Sequence, residues 1–164
     1  MTTPITDKYG WFNVHDSNYL VPQVYTALGA NWDKISDDGA GPLSNSAHKP
    51  TSITKVWDTT TSQLDFNDLT AGDSFEIRVD LDITTSSANQ EVDIRGEFAI
   101  GASPYTVSFY HNTFKSSGVH QIMVYIGGPI SSETTRVNPG EIQIYSNADL
   151  TYLNQMMYFN VRRK

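Results

Sequence analysis

The chain has 164 residues, 38% of them hydrophobic and 12% aromatic, no cysteine, and a net charge of −7. That length supports one sizeable core. The acidic balance excludes nucleic acid and anionic membranes as natural partners, and the missing cysteines exclude disulfides and thiolate metal sites. No apolar run is long enough to span a membrane as a helix. Residues 1–10 (M-T-T-P-I-T-D-K-Y-G) have neither the basic start nor the apolar stretch of a secretory leader, so the expectation is a soluble protein made in a cytoplasm-like space.

Residues 1–50 show poor periodicity. Short strands are predicted at 11–14 (W-F-N-V) and 23–26 (Q-V-Y-T), interrupted by Pro22, Gly29, the 37–42 cluster D-D-G-A-G-P and Ser44-Asn45-Ser46. Loops of that length are uncommon in a compact domain and usually carry function or lean on a partner. Trp11, Phe12, Tyr19, Tyr25 and Trp32 make the segment too apolar for a disordered tail. The reading is an extended, loop-rich N-terminal arm over 1–50, packed on its own domain or on a neighbouring subunit, followed by a β-domain over 51–164. The five aromatics are its candidate contact residues.

From residue 51 the pattern tightens. A short strand is predicted at 52–56, ended by Trp57–Asp58 and a threonine-rich turn, and another at 64–66. The strongest signal follows at 73–83 (D-S-F-E-I-R-V-D-L-D-I). There Phe75, Ile77, Val79, Leu81 and Ile83 alternate with Glu76, Arg78, Asp80 and Asp82. Period two is the mark of a strand with one buried and one polar face. The stretch 91–100 alternates likewise, with Gly96 breaking the inward row as a bulge or a close backbone approach. A fifth strand is predicted at 105–110. At 119–126 both rows are apolar, Val119, Met123 and Tyr125 against Ile122, Val124 and Ile126. That pattern predicts burial on both faces, and hence a subunit contact through this strand. Strands at 141–145 and 150–161 complete about eight, with no helical pattern. The fold class expected is all-β, an antiparallel β-sandwich of jelly-roll type.

Little here points to catalysis. Glu76, Asp80 and Asp93 offer carboxylates of the kind a glycosidase pairs, but Arg78 and Arg95 in the same rows supply the ordinary reason for such alternation, cross-strand charge pairing. Asp37-Asp38-Gly39 lacks the ligand order of a calcium loop. His15, His48, His111 and His120 are scattered singly, and no G-x-S-x-G, P-loop or G-x-G-x-x-G occurs. No catalytic residue, cofactor or metal site is expected.

The stretch from Trp57–Asp58 through Leu64-Asp65-Phe66, Leu69-Thr70-Ala71-Gly72-Asp73, Ile77-Arg78-Val79-Asp80 and Ser86-Ser87-Ala88-Asn89-Gln90-Glu91-Val92 resembles the jelly-roll structural proteins of tailed-phage virions. These include capsid decoration proteins, head fibres and tail-fibre tips. The terminal Tyr158-Phe159-Asn160-Val161-Arg162-Arg163 is similar too. The resemblance covers about residues 55–164 and implies a non-enzymatic virion component with a tumour-necrosis-factor-like or viral jelly roll. The expectation is a capsid decoration protein, made in the host cytoplasm, that binds the major capsid protein on the outer capsid surface as a homotrimer. A receptor- or carbohydrate-binding fibre module that recognises a host-surface glycan is the alternative. The candidate capsid or subunit contacts are Trp11, Phe12, Tyr19, Tyr25, Trp32, Ile122, Val124 and Ile126.

Overall fold

In the computed structural model, which describes residues 8–14, 21–27, 29, 31–36 and 43–164, the chain forms twelve strands and one short helix. In order these are β1 (Tyr9–Val14), β2 (Gln23–Tyr25), β3 (Asp33–Lys34), β4 (Leu43–His48), β5 (Trp57–Asp58), β6 (Gln63–Leu64), β7 (Ser74–Thr85), β8 (Gln90–Phe98), β9 (Tyr105–Phe114), β10 (Gly118–Pro129), α1 (Glu133–Val137), β11 (Glu141–Ser146) and β12 (Leu150–Arg162). Strand β7 has the alternation the sequence predicts: Phe75, Ile77, Val79, Leu81 and Ile83 are all buried. It pairs antiparallel along its length with β10 on one side and β12 on the other. The large sheet runs β10-β7-β12-β1-β4, with β2 also on β12; the second runs β3-β11-β8-β9. The chain crosses between sheets from β7 to β8, back from β9 to β10, and again on either side of β11. Spatial neighbours are therefore remote in sequence, as in a jelly roll.

The inner faces of the two sheets make one core. Ile122, Val124 and Ile126 lie opposite Leu81, Val79 and Ile77 and are buried in it. Of the two apolar rows predicted in 119–126, one is therefore covered by this chain itself. The inner row packs within the chain, whereas Val119, Met123 and Tyr125 are 66%, 51% and 54% exposed. The described strands before Pro50 pack on this chain's own sheets. β1 lies between β12 and β4 within the large sheet, and β3 edges the smaller one. Phe12 stacks on Phe159 at 5.0 Å inside the core, and the buried Tyr25 hydroxyl donates to the carbonyls of Asn31 and Ser146. The strand predicted at 52–56 is a loop whose Ile53 and Val56 reach the core, and the unpredicted α1 is capped by Ser132, whose hydroxyl accepts from the Thr135 amide. Near Gly96 the bulge falls in the partner strand, where Phe109 is the extra residue, and it is side-chain rings, not backbone, that come close to the glycine. The β8–β9 register shifts between Ile94 and Arg95, and a Cβ at Gly96 meets the rings of Phe98 and Phe109 at 2.6 and 3.1 Å.

Asp73, 1% exposed, closes one end of the sandwich. Its carboxylate accepts from the Thr70 amide (2.8 Å) and hydroxyl (3.0 Å) and from the Lys164 amide (2.8 Å), with the Arg163 guanidinium at 3.5 Å. Burial alone pushes this carboxyl up. The Lys164 and Thr70 hydrogen bonds and the Arg163 charge outweigh it, so the net shift is downward. A carboxyl depressed in the folded state stabilises fully above its unfolded value, about 3.9, and that contribution is lost as pH falls through the lower folded value. Asp73→Ala strands the amides it serves and is expected to cost about 2 kcal/mol. In thermal melts the gap between variant and parent should be full near neutrality and shrink in strong acid; a gap that stays constant with pH contradicts the assignment.

Candidate functional site

Because side chains alternate along a strand, the residues between the core positions of the large sheet share its outer face. Five flat groups line up there across five strands: His48 on β4, Trp11 on β1, Tyr158 on β12, Arg78 on β7 and Tyr125 on β10. The Trp11 ring stacks on His48 at 4.7 Å and 30° and on Tyr158 at 5.4 Å and 20°. The Arg78 guanidinium is 6.0 Å from the Tyr158 ring centre, and Tyr125 lies opposite Arg78 in the β7–β10 ladder. The Trp11 indole thus stacks on two neighbours from its own chain.

The charge on this face is mixed. Arg78 donates to Asp80 at 2.7 Å; that bond raises the Arg78 pKa against the effect of burial, with a smaller contribution from Tyr125. The Arg78 Nε and Asp80 Oδ1 atoms are sealed beneath their neighbours without hydrogen-bond partners among the described residues. Glu76 and Asp82 flank this pair along β7, and Arg162 lies 5.4 Å from the ring centre of the exposed Tyr9. Along β10 the face ends in the exposed Val119, Met123 and Tyr125.

The outer face of the smaller sheet is built differently. Gln143, 7% exposed, accepts from Arg95 at 2.8 Å and donates to Glu97 at 2.6 Å. Asp93 meets His111 at 2.5 Å. Trp32 lies over this network, with the Arg95 guanidinium 4.1 Å from its ring and Tyr145 at 5.5 Å. These polar groups are engaged with one another.

The structure does not gather the candidate contact residues into one patch. Trp11 is on the outer face of the large sheet and Trp32 on that of the smaller one. Phe12, Tyr25, Ile122, Val124 and Ile126 are core residues, so this chain's own packing already uses their apolar surface. Tyr19, His15 and Asp37-Asp38-Gly39 lie outside the described residues. The three carboxylates considered for hydrolysis are divided too, Glu76 and Asp80 on one outer face and Asp93 on the other. Among the described residues no group of three or more His, Asp or Glu is placed to hold a metal. The row through His48, Tyr158 and Tyr125 was not anticipated. Its sequence signal is the aromatic or apolar character of outward positions in strands whose inward positions are also apolar.

No protein-family model matches the sequence, and no curated protein matches it. Among solved structures the chain is similar to the tumour necrosis factor Eiger of S. frugiperda, at 7% identity and a TM-score of 0.49, covering 96% of this chain and 94% of that one. It is similar to the PRD1 vertex protein P5 at 13% identity and 0.42, covering 96% and 73%. It is also similar to the xylan-binding CBM22-2 domain of Paenibacillus barcinonensis Xyn10C at 10% and 0.42, covering 93% and 99%. The strand order of this chain itself defines the class, an antiparallel jelly-roll β-sandwich.

With Glu76 exposed and Asp93 paired to the exposed His111, Glu76→Gln and Asp93→Asn are each expected to change stability by about 1 kcal/mol or less. Denaturant titration of both variants tests this. A glycan-degrading activity in the parent that either substitution abolishes overturns the structural assignment.

Proposed function

We propose that this protein is a non-enzymatic structural component that assembles as a homotrimer through the outer face of its large sheet and decorates the outer surface of a phage capsid. The observation that carries the reading is the exposed strip Val119, Met123 and Tyr125 beside the Trp11–Tyr158–Arg78 row. Apolar side chains at half exposure or more on a regular sheet face are what an interface covers. Five strands at about 4.8 Å spacing give a face on the order of 800 Å², the area a stable interface takes from each partner. Arg78 and Arg162 stand among Glu76, Asp80 and Asp82, so copies meeting there bring opposite as well as like charges together. The capsid location rests on the resemblance of residues 55–164 to virion jelly rolls. The major capsid protein is the partner it implies, and the host cytoplasm the place of synthesis. The alternative, a fibre module reading a host glycan, is weakened by the stacking of Trp11 on two side chains of its own chain.

Met123→Lys combined with Tyr125→Lys places two ammonium groups on this face without touching the core. If each side chain contributes about 2 kcal/mol to association, the pair weakens it roughly a thousandfold. Sedimentation is expected to show a trimer for the parent and a folded monomer for the variant, whose melting temperature loses the concentration dependence that association gives the parent. A parent that sediments as a monomer at micromolar concentration refutes the assembly, and cryo-EM of particles lacking the protein on their capsids refutes the location.

A further inference from the structure

Trp32 immediately precedes β3, and Arg95 lies on β8, two strands away across β11. Their side chains nonetheless meet, with the guanidinium 4.1 Å from the indole ring centre, so the two reach toward each other over β11. Arg95 is fixed by Gln143, and Gln143 in turn by Glu97. Tyr145 adds a second contact to the indole at 5.5 Å. Side chains locked by such a network present a preorganised surface, which lowers the cost of binding. Trp32 remains partly exposed. Among the described residues it makes no other ring or cation contact, and its N–H has no hydrogen-bond acceptor.

The surroundings of this ring limit what it can meet. Every outward residue of β8 is charged (Glu91, Asp93, Arg95 and Glu97), and the residues opposite them on β9 offer hydroxyl groups and the His111 imidazole. With Glu141 on β11 and Lys34 on β3, the face holds four acids and two bases. That balance repels a polyanion, and it repels a second copy of the same face. The cores of protein–protein interfaces are depleted of charged residues, whereas here charge fills the centre. A cation laid on the indole meets the guanidinium already there. A neutral sugar ring meets none of these obstacles. The C–H groups of one of its faces pack on the electron-rich face of the indole, and its hydroxyl groups bond to ionised partners at the rim.

We propose that the outer face of the smaller sheet is a binding site for a neutral glycan. One sugar ring stacks on Trp32, and hydroxyl groups of an adjoining ring bond to Asp93 and His111. These two residues are 2.5 Å apart and continue the row of Tyr145 across the sheet. With strands about 4.8 Å apart, the row from β3 to β9 is about 14 Å long, which leaves room for more than one ring. The site is on the sheet opposite the face assigned to self-association, so the two assignments fail separately.

The full chain is applied to an array of neutral oligosaccharides of glucose, mannose, galactose and N-acetylglucosamine, with sialylated and uronic-acid glycans beside them. Each glycan that is bound is then titrated by calorimetry. The parent is expected to bind a neutral glycan saturably and acidic ones at least tenfold more weakly. Trp32→Ala is expected to weaken binding at least tenfold, whereas Trp32→Tyr, which keeps a flat ring, retains most of it. His111→Ala, at a side chain that is 65% exposed, is expected to weaken binding at least threefold. Should Trp32→Ala misfold, His111→Ala decides alone. Failure to bind any neutral glycan, a preference for acidic ones, or binding that survives both substitutions overturns the proposal. A sedimentation coefficient changed by His111→Ala also overturns it, since the face is then a contact between copies.

Discussion

The register of β7 is the constraint on which the large sheet depends. Its twelve residues pair with β10 from Ser74↔Pro129 to Thr85↔Gly118 and with β12 from Ser74↔Arg162 to Thr85↔Leu150. A shift of one residue turns Phe75, Ile77, Val79, Leu81 and Ile83 outward and brings Glu76, Arg78, Asp80 and Asp82 into the core. Burying five such apolar side chains contributes on the order of 10 kcal/mol, and unpaired buried charges add several more against the slipped pairing. Two neighbours are thereby fixed at once, and through β12 the position of β1 is fixed as well. The outer row of flat groups follows from the same register, because Tyr158, Arg78 and Tyr125 are direct neighbours across these ladders.

How much of this is legible in the sequence depends on how local the cause is. β7, β8, β9, β11 and β12 were readable because each carries its own alternation, and the short turn that joins β7 to β8 places Asn89 at a positive φ that asparagine tolerates. Strand β1 was only partly readable. Of its six residues only Phe12 is a large core side chain among those described, and its partners lie in β12 and β4. The segment 52–56 shows the reverse error: Ile53 and Val56 are buried from a loop, and burial without a ladder leaves the same apolar residues in the sequence.

The candidate site was less legible. In 119–126 the two apolar rows look alike in the sequence, yet one fills the core and the other faces out. Composition registers that both are apolar; only the packing shows which one this chain covers itself. The row of His48, Trp11, Tyr158, Arg78 and Tyr125 draws on five strands spread over most of the chain, so no window of sequence contains it. The aromatic content of the N-terminal segment could not separate Phe12 and Tyr25, which complete the core, from Trp11, which lies on the outer face.

The antiparallel pairing of β1 with β12 sets Tyr9 opposite Arg162 and Val14 opposite Met157. The Arg163 amide extends the ladder by donating to the Lys8 carbonyl at 2.7 Å. During synthesis β1 emerges well over a hundred residues before its partners in β12 (Val14 pairs with Met157, Tyr9 with Arg162). Until then the edge of β1 that β12 will occupy is open, and the place reserved for Phe12 against Phe159 is unfilled. Sequence separation of this order slows folding, since loop closure must precede any reward from the contact. The ladder between β1 and β12 therefore forms after the more local pairings, and until it does the open edge of β1 is exposed to pairing with other copies.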